Sequence, residues 1–196
     1  MLTALLAAIL MVASPAPPTE QSTSVIKRVV SQVVYVDWVG DEDHRGHCTG
    51  IRVGIRWVLT AQHCMPLPQF KDALVTVNME PVRVIKVNPN LDLALLETST
   101  DTPVRIMEIR KSPPVQGEPI IAVGYAWGEP PIVLRRYIGR VDADSGYIFT
   151  DGTFIEGMSG GPVVDEDGKL VGVVRQGWGN IVGGIIPASA VEKFIK

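Results

Sequence analysis

From Val25 onward the chain consists of short aliphatic and β-branched runs, each broken within a few residues by Gly, Pro, Asn or Asp. "VVSQVVYVDWV", "TGIRVGIRWVLTA", "ALVTVNM", "VRVIKVN" and "LDLALLE" make up a first series. "PIIAVGYAW", "PIVLRRYIGRVDA", "GYIFTD", "GPVVDEDGKLVGVVRQG" and "NIVGGIIP" make up a second. Short strands at regular spacing, punctuated by turn residues, predict an all-β fold of barrels or a sandwich. Within the second series, "DEDG" between "PVV" and "KLVGVV" is a hairpin signal. The stretch "STDTPVRIMEIRKSPPVQGEP" alternates poorly, carries four prolines and reads as a connection between two units. Only the last residues read as helix, with "SAVE", Ser189 to Glu192, fitting a capping box that opens "SAVEKFIK". The expected organisation is a first unit over 25–100, a connection over 101–116, a second unit over 117–187 and a terminal helix over 188–196.

The 196 residues suffice for one substantial domain or two small units sharing an interface. At 46% hydrophobic and 20% charged the chain is globular, not globally disordered. A net charge of −3 offers no electrostatic footprint for nucleic acid. The densest basic cluster, Arg135, Arg136 and Arg140, reads as a solvated strand face. At the N-terminus the apolar core Leu2 to Val12 is too short for a membrane span, which needs about 20 residues. It suits a secretory signal over 1–16, with small residues at Ala13, Ser14 and Ala16. The segment has no Lys or Arg, and Pro15 and Pro17 crowd the cleavage points, so an uncleaved anchor is the alternative. No cysteine lies nearby to carry a lipid. Residues 17–24 are Pro/Ser/Thr-rich and read as a linker. The expected location is secreted or periplasmic, with no stable membrane span once the signal is removed. An export signal and an even cysteine count favour a Cys48–Cys64 disulfide; two buried thiols are the alternative.

"FIEGMSGGP" sets Ser159 among Gly157, Gly160 and Gly161 and ends on Pro162. A serine hydroxyl is a poor nucleophile unless a base takes its proton and donors stabilise the resulting oxyanion. Three histidines are available to serve as that base. His63 lies in "WVLTAQHC", where an apolar strand runs into a polar turn, whereas His44 and His47 lie in the charged stretch "GDEDHRGHC". A zinc reading would combine His44 or His47 with Cys48, His63 and Cys64. The spacing offers no compact ligand pair and no Cys-x-x-Cys hook, so no metal is expected. Asp92 interrupts the otherwise apolar "NLDLALL", and a carboxylate buried there needs a donor. The His63 imidazole is one source; backbone amides of a turn after "NPN" are the other.

"TAQHC", "DLALL" and "GMSGGP", in that order, resemble the His, Asp and Ser blocks of chymotrypsin-like serine proteases. The short intervals, "TDGTFIEGMSGGPVVDEDGKLVGVV" and the closing "GGIIPASAVEKFI" resemble the bacterial HtrA-like branch, with no sequence left over for a PDZ domain. The likeness covers nearly everything from Val25. It implies two packed six-stranded antiparallel β-barrels with the active site in the cleft between them. It further implies Ser159 as nucleophile, His63 as general base and acid, and Asp92 as the group that orients His63. The backbone N–H groups of Gly157 and Ser159 would form the oxyanion hole, and no cofactor is required. Met158 departs from the digestive enzymes, whose aspartate there pairs with a freshly cut N-terminus. "IVGG", Ile181 to Gly184, follows Ser159, so cutting before it would sever the nucleophile. By resemblance, Thr153 lies at the base of the S1 pocket, and its lack of charge disfavours Lys or Arg at P1. Arg175 and Gly177 lie in "VGVVRQG", which resembles the segment that pairs with substrate as an added strand. Arg175 stands where a small residue is usual, and either faces solvent or lines the pocket and favours acidic P1 residues. The expected activity is a serine endopeptidase acting on protein or peptide. A catalytically silent pseudoprotease that binds peptides and an esterase are the alternatives, and oligomeric state is not indicated.

Overall fold

The computed structural model describes residues 20–41, 43–70, 72–103, 106–175, 177 and 181–196; the expected signal segment 1–16 lies outside them. Strands β1 (Val33–Val39), β2 (Arg45–Arg52), β3 (Trp57–Ala61), β4 (Leu74–Val77), β5 (Glu80–Asn88) and β6 (Leu93–Thr98) close an antiparallel barrel in the order β1-β2-β3-β6-β5-β4. Strands β7 (Pro119–Gly124), β8 (Ile132–Val141), β9 (Ile148–Thr150), β10 (Pro162–Val164), β11 (Leu170–Val174) and β12 (Gly184–Pro187) close a second in the matching order β7-β8-β9-β12-β11-β10. The chain is therefore a pair of closed six-stranded barrels of the chymotrypsin-like kind. The hairpin at "DEDG" forms as its sequence predicts. Gly168 takes φ +80°, and its N–H reaches the Asp165 carbonyl at 3.0 Å. The connection between the barrels follows β11, with Arg110 N and Leu170 N donating to Leu170 O (3.0 Å) and Glu108 O (2.7 Å).

Side-chain alternation along the strands builds three cores. On β6, Ala94 and Leu96 turn into the first barrel with Val34, Val36, Val58 and Val77. Leu93, one residue out of phase, turns outward with Ile51 and Leu59 to meet Ile121, Val123, Val173 and Ile186 of the second barrel. This seam between the barrels is a core in its own right. The third core fills the second barrel around Ile120, Ile138, Ile148, Met158 and Ile185.

Two helices cover the seam, one more than the sequence predicts. Helix α1, Glu20–Val30, takes in residues 20–24 of the expected linker and the start of the run "VVSQVV". β-branched residues suggest a strand there, but Val25 and Val29 are spaced i, i+4 and both are buried on the seam. Tertiary burial overrides the local preference of valine. Lys27 and Arg28 complement the C-terminal end of the helix dipole. Arg28 Nη2 also donates to Asp167 O at 2.6 Å in the β10–β11 hairpin. Helix α2, Ala188–Ile195, buries Ala188, Val191 and Phe194. Its N-cap is Pro187, with no side-chain cap, so the expected Ser189 capping box does not form. β12 passes directly into the helix and leaves Ser189 one residue inside it, while Glu192 pairs with Lys111 and Lys196 at 2.8 and 3.0 Å. Among the described residues no helix is long and apolar enough to cross a membrane.

Candidate active site

Strand register brings His63 to Asp92. β3 pairs with β6 up to Ala61 opposite Leu93, so the residues just beyond the paired ends are neighbours. A 3₁₀ turn, Gln62–Cys64, follows β3, and Gln62 N donates to Asp92 O at 3.0 Å. Asp92 adopts φ +56°, which directs its buried carboxylate back under this turn. Three nitrogens serve it. His63 Nδ1 lies 2.9 Å from Oδ2, His63 N lies 2.9 Å from Oδ1, and Arg175 Nε lies 3.0 Å from Oδ2. Burial pushes the Asp92 carboxyl upward, but the hydrogen bonds and charges of His63, with Arg175 behind them, hold it below the usual carboxylate range. An ionised Asp92 accepts only, so the proton of a neutral His63 sits on Nδ1 and Nε2 keeps its lone pair.

Arg175 takes neither of the two expected orientations alone. Its guanidinium does not run out to solvent but lies on Asp92 and over the Tyr147 ring at 4.9 Å, while the residue still lines the cleft. Its carbonyl accepts the Ser159 hydroxyl at 2.7 Å. One residue thus holds the Ser159 hydroxyl by its main chain and the Asp92 carboxylate by its side chain. Arg136 also departs from the solvated face expected for it, turning in to donate from Nη2 to Thr153 O at 3.2 Å.

Ser159 arrives from the second barrel on a turn docked against the first. Thr49 N on β2 donates to Ser159 O at 2.9 Å, and Gly160 N donates to Val174 O at 2.8 Å. Gly160 has φ +82°, and a Cβ there would collide with Thr49 O and the Thr60 hydroxyl. Gly157 has φ +88°, and its missing Cβ leaves room for the Tyr125 carbonyl and the His47 ring. Each carbonyl from Glu156 to Ser159 has a partner: Trp127 N at 2.8 Å, the Thr49 hydroxyl at 2.8 Å, Gly161 N at 3.0 Å and Thr49 N at 2.9 Å, in chain order. Among the described residues, the N–H groups of Gly157 and Ser159 have no protein acceptor. Met158 is fully buried in the second barrel, so an apolar contact stands where the digestive enzymes keep an ion pair.

His63, Gly157, Ser159, Thr153, Arg175 and Gly177 line one cleft of about 560 Å³. Two glycines pack closely at and beside it. A Cβ on Gly177 would strike the Thr153 hydroxyl, and one on Gly183 would come within 2.7 Å of the Phe154 ring. "IVGG" leads into β12 here, with Gly183 O accepting from Thr150 N at 3.0 Å. Cys48 and Cys64 are joined in a disulfide that ties β2 to the His63 turn. Although Cys48, His63 and Cys64 cluster as a metal site would, the bonded sulfurs provide no thiolate, which closes the zinc reading. His44 is exposed in its loop, 2.6 Å from Asp41. Thr49 and Trp127 carry no motif that singles them out in the sequence. A buried threonine in "CTGI" signals a need for partners, but nothing local says that one of them is Gly157.

The trypsin-like peptidase domain family matches residues 48–173. Bovine mitochondrial serine protease HTRA2 is 24% identical over 91% of this chain and 44% of its own length. Human serine protease HTRA4 is 23% identical over 88% of this chain and 40% of its own length, so the chain spans less than half of these relatives. Among solved structures, the Yersinia pestis serine endoprotease superposes with a TM-score of 0.76 at 20% identity, covering 92% of this chain and 66% of that one. The active form of the Mycobacterium tuberculosis protease Rv3671c gives 0.75 at 19% identity, covering 96% and 93%. The chain belongs to the trypsin-like peptidase domain family, with a chymotrypsin-like fold and similarity to serine proteases of the HtrA type.

Proposed function

We propose that the protein is a serine endopeptidase that cleaves peptide bonds through Ser159, His63 and Asp92. The observation that carries this reading is the Asp92–His63 pair at 2.9 Å, with its Nε2 lone pair left available, in one cleft with Ser159. Rotation of the Ser159 hydroxyl away from the Arg175 carbonyl toward Nε2 prepares attack on the scissile carbonyl. His63 takes the hydroxyl proton as the Ser159–acyl bond forms, then passes it to the leaving amine as the C–N bond breaks. Water then gives a proton to the same imidazole as its oxygen bonds the acyl carbon, and the proton returns to Ser159 Oγ as the Ser159–acyl bond breaks. Asp92 holds the tautomer and stabilises the imidazolium, and the Gly157 and Ser159 N–H groups receive the oxyanion. Arg175, directly after β11, and Gly177 line the cleft, where a substrate strand would add. Thr153, Arg175 and Gly177 border the P1 pocket, and the uncharged Thr153 at its base disfavours Lys and Arg. The Cys48–Cys64 disulfide supports an oxidising, extracytoplasmic location.

One observation favours a second reading, the silent peptide-binding module: the Ser159 hydroxyl is bonded to Arg175 O and not to His63. A fluorophosphonate probe decides between them. The endopeptidase labels on Ser159, and His63→Ala abolishes labelling. A folded wild-type protein that neither labels nor cleaves an unfolded substrate is the silent module.

A further inference from the structure

The absence of an acidic residue at 158 leaves the oxyanion loop needing some other fastening, and the polar contacts around Gly157 provide one. Thr49 is fully buried on β2, across the seam from the loop. Its hydroxyl donates to Gly157 O at 2.8 Å and accepts from Tyr125 N at 2.9 Å. The second barrel is cut back around this one oxygen: a Cβ on Gly124 would come within 2.7 Å of it and within 3.0 Å of Met158 Cα. A Cβ on Gly161 would meet the threonine methyl at 3.1 Å.

We propose that the Thr49 hydroxyl is the latch of the oxyanion loop, a positioning residue supplied by the first barrel that fixes the peptide plane between the Gly157 and Ser159 N–H groups and so keeps both turned into the cleft. The inference rests on the serine-protease reading above. The two peptide planes of Gly157 are each pinned by a carbonyl. Trp127 N holds Glu156 O, which sends the Gly157 N–H the opposite way, and Gly161 N holds Met158 O, which does the same for the Ser159 N–H. Thr49 holds Gly157 O in the peptide plane between them, whose own N–H at Met158 donates to Ile155 O. Rotation of the second plane would strand a buried hydroxyl donor and leave the Tyr125 N–H bonded to an oxygen without a partner for its own proton. Burial of Met158 fixes where the loop lies, but an apolar side chain has no preferred peptide orientation; the hydroxyl provides the direction. Only a hydroxyl can donate and accept at this point, so serine preserves the latch and isosteric valine removes it. Thr49 N also holds Ser159 O, so the same residue registers the nucleophile and the oxyanion donors against the barrel that carries His63.

The test compares wild type, Thr49→Val and Thr49→Ser by the rate of fluorophosphonate labelling and by hydrogen exchange of the peptide covering residues 155–161. Thr49→Val is expected to label about 10–100-fold more slowly, the range that misplacement of oriented donors produces. KM for a peptide substrate stays unchanged while kcat falls, and exchange quickens at 155–161 alone. Thr49→Ser restores both labelling and exchange. Wild-type labelling by Thr49→Val, or exchange that quickens uniformly through both barrels, overturns the latch and leaves Thr49 a structural threonine. If the wild type itself does not label, the endopeptidase reading fails, and exchange at 155–161 still decides the latch. Should Thr49→Val fail to fold, Thr49→Ala takes its place against Thr49→Ser under the same readouts.

Discussion

Asp92 accepts three nitrogens on two oxygens while buried beneath the His63 turn. Because its folded-state pKa lies below the unfolded value near 4, the stability it adds is fully present above that value. It is lost as pH falls through the lower, folded value. The wild-type urea midpoint should therefore drop more steeply between about pH 5 and pH 3 than that of Asp92→Asn, which has no such proton to take up. That Asp92 requires donors was legible in the sequence, because a charge inside "NLDLALL" stands out against apolar neighbours. The Arg175 contact was not. Its direction depends on where β11 leaves the barrel and on a Tyr147 ring brought up by the loop before β9, neither of which is encoded near residue 175. Thr49 was hidden for the same reason, since its partners Tyr125 and Gly157 are remote in sequence.

At the scale of elements, strands bounded by turn residues were readable because alternation and glycine-rich corners are local signals. Helix α1 was not, because its burial pattern is expressed only against the seam and its valines favour a strand when read alone. The two helices do related work there. α1 lays Val25 and Val29 on the seam, and α2 lays Val191 and Phe194 on it from the chain's other end. Phe194 is 3% exposed, Lys86 lies over its ring at 4.8 Å, and Lys86 Nζ donates to its carbonyl at 2.7 Å. Phe194→Ala should lower unfolding free energy by about 3–5 kcal/mol in urea denaturation, the range for deleting a buried aromatic ring. A loss well under that would mean that α2 covers the seam without stabilising it.

For the whole molecule, two barrels of the same strand order meet along an apolar seam, and the candidate site straddles it. His63 and Asp92 belong to one side, Ser159 and Gly157 to the other. The Cys48–Cys64 link lies wholly within the first barrel and closes a 16-residue span. A loop of that length contributes about 3 kcal/mol in a chain-entropy treatment. Reduction should shift the urea midpoint accordingly, and a midpoint indifferent to reductant would show that the unfolded chain is already constrained there. Because the seam, and not either barrel interior, sets the distance between imidazole and hydroxyl, chemistry at this cleft depends on two shells keeping step. A slip of one shell past the other by a fraction of an ångström would part the imidazole from the hydroxyl while each shell, taken alone, stayed intact.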